Sequence, residues 1–166
     1  MASPKEHSLA QLEGSRAGRA DILRARIAIL RTVGVGMTKA SMVSVVEDDQ
    51  FFRESMRRLI RSLGYSVEAF PSAADFLASP RLFETDCLIA DVQMPAMTGL
   101  ELHRQLVDTG YSIPTILVTA YPDDGIRARA LSDGVVCYLR KPVDEKHLMR
   151  CLRAALDSGE PREEHS

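Results

Sequence analysis

The 166-residue chain has no apolar run near the roughly 20 residues that a helix needs to cross a bilayer. Its N-terminus lacks a continuous apolar segment, so no secretory signal is expected. Neither charge sign dominates, with 21 Lys and Arg against 23 Asp and Glu. The net charge is −2, which by itself points to neither a nucleic-acid nor a membrane partner. There are three cysteines, Cys87, Cys137 and Cys151. An odd number lying mostly in apolar stretches is no disulfide framework. All three are expected to pack as small thiols in a reducing cytoplasm. Apolar residues make up 45% of the chain and charged residues 27%, ordinary for a globular protein.

The charge that exists is uneven. Residues 1–40 hold seven Lys and Arg against three Asp and Glu, whereas residues 41–166 hold fourteen against twenty. From residue 41 two kinds of segment alternate. Short apolar runs lie at 42–46, 87–90, 113–118 and 135–139, and their Val and Ile content suits strands buried on both faces. A further run at 65–70 alternates more, as an edge strand does. Between the runs lie helical stripes. In 51–63, Phe52, Met56, Leu59, Ile60 and Leu63 form one face, with Arg53, Arg57, Arg58 and Arg61 on a solvated one. In 145–157 the stripe is Leu148, Cys151, Leu152, Ala155 and Leu156. Weaker helices fit at 73–78, 99–108 and 125–132. Gly64, Gly110 and Gly134 each stand where a helix ends before a strand.

Five βα units predict an α/β fold, a doubly wound five-stranded parallel sheet with helices on both faces. Ligands of such sheets bind beyond the carboxyl ends of the strands. Those ends carry the chemistry. The first run ends in Glu47-Asp48-Asp49, the third in Asp91, the fourth in Thr119 and the fifth in Arg140-Lys141-Pro142. Carboxylates gathered without a cation raise one another's pKa. Mg²⁺ relieves this and accepts a few carboxylate or carbonyl oxygens. An Asp beside it can attack a phosphoryl group, with a Lys and a hydroxyl to bind the phosphoryl oxygens.

The segments VVEDD, ADVQMPAMTGLEL, ILVTAY and YLRKP resemble the signature segments of the response-regulator receiver (CheY-like) domain of two-component signalling. Asp91 lies 43 residues after Asp48, Thr119 lies 28 after Asp91, and Lys141 lies 50 after Asp91. The resemblance covers residues 41–157 and implies a flavodoxin-like sheet of order 2-1-3-4-5 with five helices. It implies Asp91 as phospho-acceptor, with Thr119 and Lys141 binding the phosphoryl group. Asp48 would bind Mg²⁺ directly and Glu47 through water, with Asp91 and the backbone carbonyl of Gln93 completing the set; Mn²⁺ is a possible substitute. Thr119 and Tyr138 would form the switch, and Gly99 would admit the loop to the third helix. Lys141-Pro142 would be cis. Asp49 falls at a variable position and is expected to be dispensable.

The implied function is acceptance of a phosphoryl group from a sensor histidine kinase or a histidine phosphotransfer protein. A conformational change would then reach an output protein through the surface near residues 123–157, or a homodimer. No nucleic acid or membrane partner and no turnover enzymology are implied, and the cytoplasm is the expected location. Two other readings compete: a degenerate receiver used as a phosphorylation-independent interaction module, and an Asp-nucleophile phosphatase. The intact acidic, Thr and Lys set argues against the first. Gln93, where such phosphatases place a second acid, argues against the second. Asp123 or Asp124 would cap the helix after Pro122. His103, on the stripe from Leu100 to Val107, is expected at the boundary between buried and solvated faces, without a relay role. Residues 1–40 have no counterpart in the family. They are expected to be disordered or one weak helix at 21–33, in an over-extended start ahead of Met37. Residues 158–166 read as a short polar tail.

Overall fold

The computed structural model describes residues 39–157. The expected N-terminal helix at 21–33 and the tail at 158–166 lie outside the described residues. The strands are β1 (Met42–Val46), β2 (Ser66–Phe70), β3 (Cys87–Asp91), β4 (Thr115–Thr119) and β5 (Cys137–Arg140). The helices are α1 (Gln50–Ser62), α2 (Ala73–Ala78), α3 (Gly99–Asp108), α4 (Asp124–Ser132) and α5 (Glu145–Asp157). A 3-10 turn at Leu82–Glu84 was not anticipated. The sheet order is β2-β1-β3-β4-β5, with every pairing parallel, as the sequence implies.

Side-chain alternation divides the sheet into two cores. Val46, Leu88, Ala90 and Leu117 face α2, α3 and α4, where Phe76, Leu102, Leu106 and Ala130 meet them. Val43, Val45, Ile89, Ile116 and Val118 face α1 and α5, against Met56, Ile60, Leu148 and Leu152. The three central strands are buried along their whole length, while β2 is half-buried throughout, which fits its edge position. Both stripes read in the sequence are therefore docking faces.

Local chemistry sets where the helices begin. Thr98 and Glu101 form a reciprocal capping box that starts α3. Asp123, not Asp124, caps α4 by accepting from Ile126 N–H. Asp49 caps α1 by accepting from Phe52 N–H at 3.0 Å. Asp49, expected to be dispensable to the metal site, has a structural role that the sequence reading did not assign: its side chain satisfies a helix donor that would otherwise be unpaired. The glycines after α1, α3 and α4 take φ of 94, 89 and 92°, the left-handed turn expected of them.

Two expectations fail. Cys137 on β5 and Cys151 on α5 are disulfide-bonded, with Cα atoms 6.1 Å apart. Spacing along the chain did not reveal this, because the strand and the helix meet only through the crossover. Cys87 remains a buried free thiol, and burial pushes its pKa up to about 12. His103 is not a boundary residue. It is 5% exposed, and its Nε2–H donates to the Asp133 carbonyl at 3.1 Å. Its Nδ1 lies 3.1 Å from Thr115 Oγ1. The ring thereby joins α3, β4 and the end of α4.

Candidate functional site

The carboxyl ends of β1, β3, β4 and β5 meet at one edge of the sheet. Glu47 and Asp91 are buried there, at 2% and 7% exposure, and Asp48 is exposed. Carboxylate oxygens of all three lie within 4.8 Å of one another. Lys141 reaches into this group. Its Nζ donates to Glu47 Oε2 at 2.7 Å and to Asp91 Oδ2 at 3.4 Å. Glu47, Asp48, Asp91 and Lys141, which the sequence placed at the ends of three strands, are therefore brought together, and Asp49 turns into its helix cap.

Each carboxylate is also held by backbone. Asp49 N–H donates to Glu47 Oε1 at 3.1 Å, and Gln93 N–H donates to Asp91 Oδ1 at 3.1 Å. The Gln93 side chain is exposed. Thr119 is fully buried at the end of β4, and its Oγ1 accepts from Tyr121 N–H at 3.0 Å. Lys141 N–H donates to the Thr119 carbonyl at 2.8 Å, which fixes where the lysine leaves β5. The Lys141-Pro142 bond is cis, as expected. Tyr138 is half-buried against the first core, and its hydroxyl accepts from Asp123 N–H at the cap of α4. Gly99 admits the loop after Asp91 because a Cβ there would strike the Asp91 carbonyl oxygen and lie 3.0 Å from Leu117 Cδ2.

The electrostatics follow from this crowding. Burial pushes the Glu47 carboxyl up from 4.5 to about 7, against the opposing pull of Lys141, and Asp91 adds to the rise. Burial alone would lower Lys141, but hydrogen bonding and attraction from Glu47, then Asp91, prevail and raise it. An all-oxygen donor set with surplus negative charge fits Mg²⁺ far better than a softer metal. Glu47, Asp48 and Asp91 are the side chains that fit it.

Two neighbours went unread in the sequence. Arg53, assigned to the solvated face of α1, instead donates from Nη1 to the Glu47 carbonyl at 2.8 Å. It lies 3.4 Å from the Asp48 carbonyl as well. Phe52, counted as a core residue, also presents its ring to Lys141, with Nζ 4.1 Å from the ring centroid. Both lie in the first turn of α1, directly after the acidic segment. That proximity was the available signal.

Comparison with known proteins agrees with this architecture. The family described as response regulator receiver domain matches residues 43–153, and the chain belongs to that family. It is a receiver domain of two-component response regulators. Response regulator protein TodT of Pseudomonas putida is 39% identical over 118 residues, covering 71% of this chain and 52% of TodT. The chain thus spans about half the length of that relative. A response regulator receiver protein from Burkholderia phymatum is similar in structure, with a TM-score of 0.61 and 39% identity. That match covers 70% of this chain and 94% of that one. The chemotaxis protein CheY4 of Vibrio cholerae superposes with a TM-score of 0.64 at 26% identity, covering 72% of this chain and all of CheY4. Among the described residues, no helix is long and apolar enough to cross a membrane.

Proposed function

We propose that Asp91 accepts a phosphoryl group from a phosphohistidine on a sensor histidine kinase or a histidine phosphotransfer protein. The observation that carries this reading is the convergence of Glu47, Asp48, Asp91 and Lys141 at one sheet edge, with three carboxylate oxygens within 4.8 Å. Mg²⁺, or Mn²⁺ in its place, would be held by Glu47, Asp48, Asp91 and the backbone of Gln93, and would neutralise charge developing on the phosphoryl oxygens. Asp91 Oδ attacks phosphorus, the O–P bond forms, and the bond from phosphorus to the donor histidine nitrogen breaks. Lys141 then exchanges a carboxylate for a phosphoryl oxygen, and the Thr119 hydroxyl donates to another.

The new charge and acceptor oxygens redistribute the contacts of Thr119 and Lys141. Tyr138, released from Asp123 N–H, would pack inward. The start of α4 would then shift between two populations. The surface near residues 123–157 is the proposed contact for an output protein or a second copy. The proposed domain is 41–157, preceded by an extension at 1–40 and followed by a tail at 158–166. The proposed location is the cytoplasm.

The test incubates the protein with Mg²⁺ and acetyl phosphate and reads intact mass. Wild type should gain one phosphoryl group, and Asp91→Asn none. An unmodified wild type, or an equal adduct on Asp91→Asn, sinks the mechanism.

A further inference from the structure

The Lys141 ammonium meets two carboxylates and an aromatic ring. Glu47 Oε2 lies at 2.7 Å and Asp91 Oδ2 at 3.4 Å. The third is the Phe52 ring, 4.1 Å away at its centroid. The Lys141 side chain is 16% exposed, so water does little to screen the contact. A cation over an aromatic face at this distance is attracted by the ring quadrupole, more strongly when desolvated.

The ring's own position is fixed from both sides. Asp49 caps α1 by accepting from the N–H of Phe52 itself, at 3.0 Å. Arg53, the next residue, donates to the Glu47 carbonyl at 2.8 Å and so ties the first turn of α1 to the end of β1. Phe52 also packs against the core shared by α1 and α5. The carboxylates beside Lys141 are the groups that bind metal and phosphoryl in the reading above. A phenyl ring binds neither, so it is the neighbour that stays unchanged while the carboxylates exchange partners.

We propose that Phe52 is a positioning residue for Lys141, its ring face holding the ammonium at the mouth of the site through the change of partners. The inference rests on the reading that Asp91 accepts a phosphoryl group. A lysine has a flexible four-carbon stem and loses much rotamer freedom when fixed. A ring that confines it beforehand lowers that loss at the moment of transfer. Packing alone would make any apolar residue adequate at position 52. The proposal requires an aromatic one.

The experiment compares wild type, Phe52→Leu and Phe52→Tyr, each also with Lys141→Gln. Phosphorylation of Asp91 by acetyl phosphate with Mg²⁺ is timed by intact mass. Phe52→Leu should slow it roughly three- to tenfold, and Phe52→Tyr should stay within about twofold of wild type. In the Lys141→Gln background, Phe52→Leu should cost nothing further, because the coupled partner is gone. A second readout needs no metal: the Lys141 Hε proton resonances should lie upfield in wild type and Phe52→Tyr, and move downfield in Phe52→Leu. The proposal is overturned if Phe52→Leu reacts at the wild-type rate, if its loss persists beside Lys141→Gln, or if the Hε resonances do not move. Failure of the parent reading looks different: wild type itself then forms no Asp91-dependent adduct, and both fall together.

Discussion

Glu47 and Asp49 stand two residues apart in the same acidic triplet and do opposite things. Glu47 is buried beside another carboxylate and a lysine, and Asp49 is exposed and closes a helix. The burial of Glu47 has a consequence for pH. Its carboxyl ordinarily titrates near 4.5, and in the metal-free fold near 7. Between those values the folded chain binds a proton that the unfolded chain has released. Stability of the metal-free protein therefore falls as pH rises from about 4.5 to about 7, and levels off above. Lys141 is raised instead, so its contribution is complete below its ordinary 10.5 and does not disturb this window. Urea midpoints measured with a chelator across the window should decline for wild type and stay flatter for Glu47→Gln. Added Mg²⁺ should weaken the decline, since metal binding favours the ionised form. Parallel curves for wild type and Glu47→Gln would refute the assignment. The sequence marked Glu47 as acidic and strand-terminal. It did not mark Asp49 as a cap, although an Asp directly before a helical stripe is the ordinary signal for one.

Strand β5 and helix α5 are joined both by packing and by covalent linkage. Leu139 meets Leu148 and Leu152 in the second core, and Cys137 is bonded to Cys151 across the same contact. The loop closed by the bond spans a sequence separation of 14. In the chain-entropy account a loop of that size contributes about 3 kcal/mol by restricting the unfolded chain. Reductant should therefore lower the denaturation midpoint of the oxidised protein while leaving its helical signal intact, because the apolar contacts remain. Cys151→Ala should show no response to reductant. A wild-type midpoint that ignores reductant would count against a stabilising bond. The helices and strands themselves were legible to within a residue or two, because an apolar stripe and a short Val-rich run report local geometry. The pairing of two cysteines and the enclosure of His103 were not. Both depend on which element the crossovers bring alongside.

At the scale of the molecule, one sheet edge collects groups drawn from four strands. The chain described here, residues 39–157, carries both cores and the complete acidic site. A chain begun at Met37 should therefore fold, stay in solution and accept the phosphoryl group at the wild-type rate. Circular dichroism and the acetyl phosphate assay check this. An insoluble or unreactive product would assign residues 1–36 a part in the fold.

The βα alternation, the sheet with its two buried faces, and the acids, threonine and lysine at the strand ends were all legible along the chain. These follow from periodicity and from punctuation by glycine and capping residues, which act over a few neighbours. The packing of the elements added what the motif could not give: it turned Asp49 into the cap of α1 and buried Glu47 beside Asp91 and Lys141. It alone set a phenyl ring against the lysine and an arginine against the strand-end carbonyls, and bonded one cysteine to another. The reason is physical. A side chain's burial and its partners are set by the approach of elements distant in sequence, and the same Asp, Phe, Arg or Cys serves either role until that approach is made.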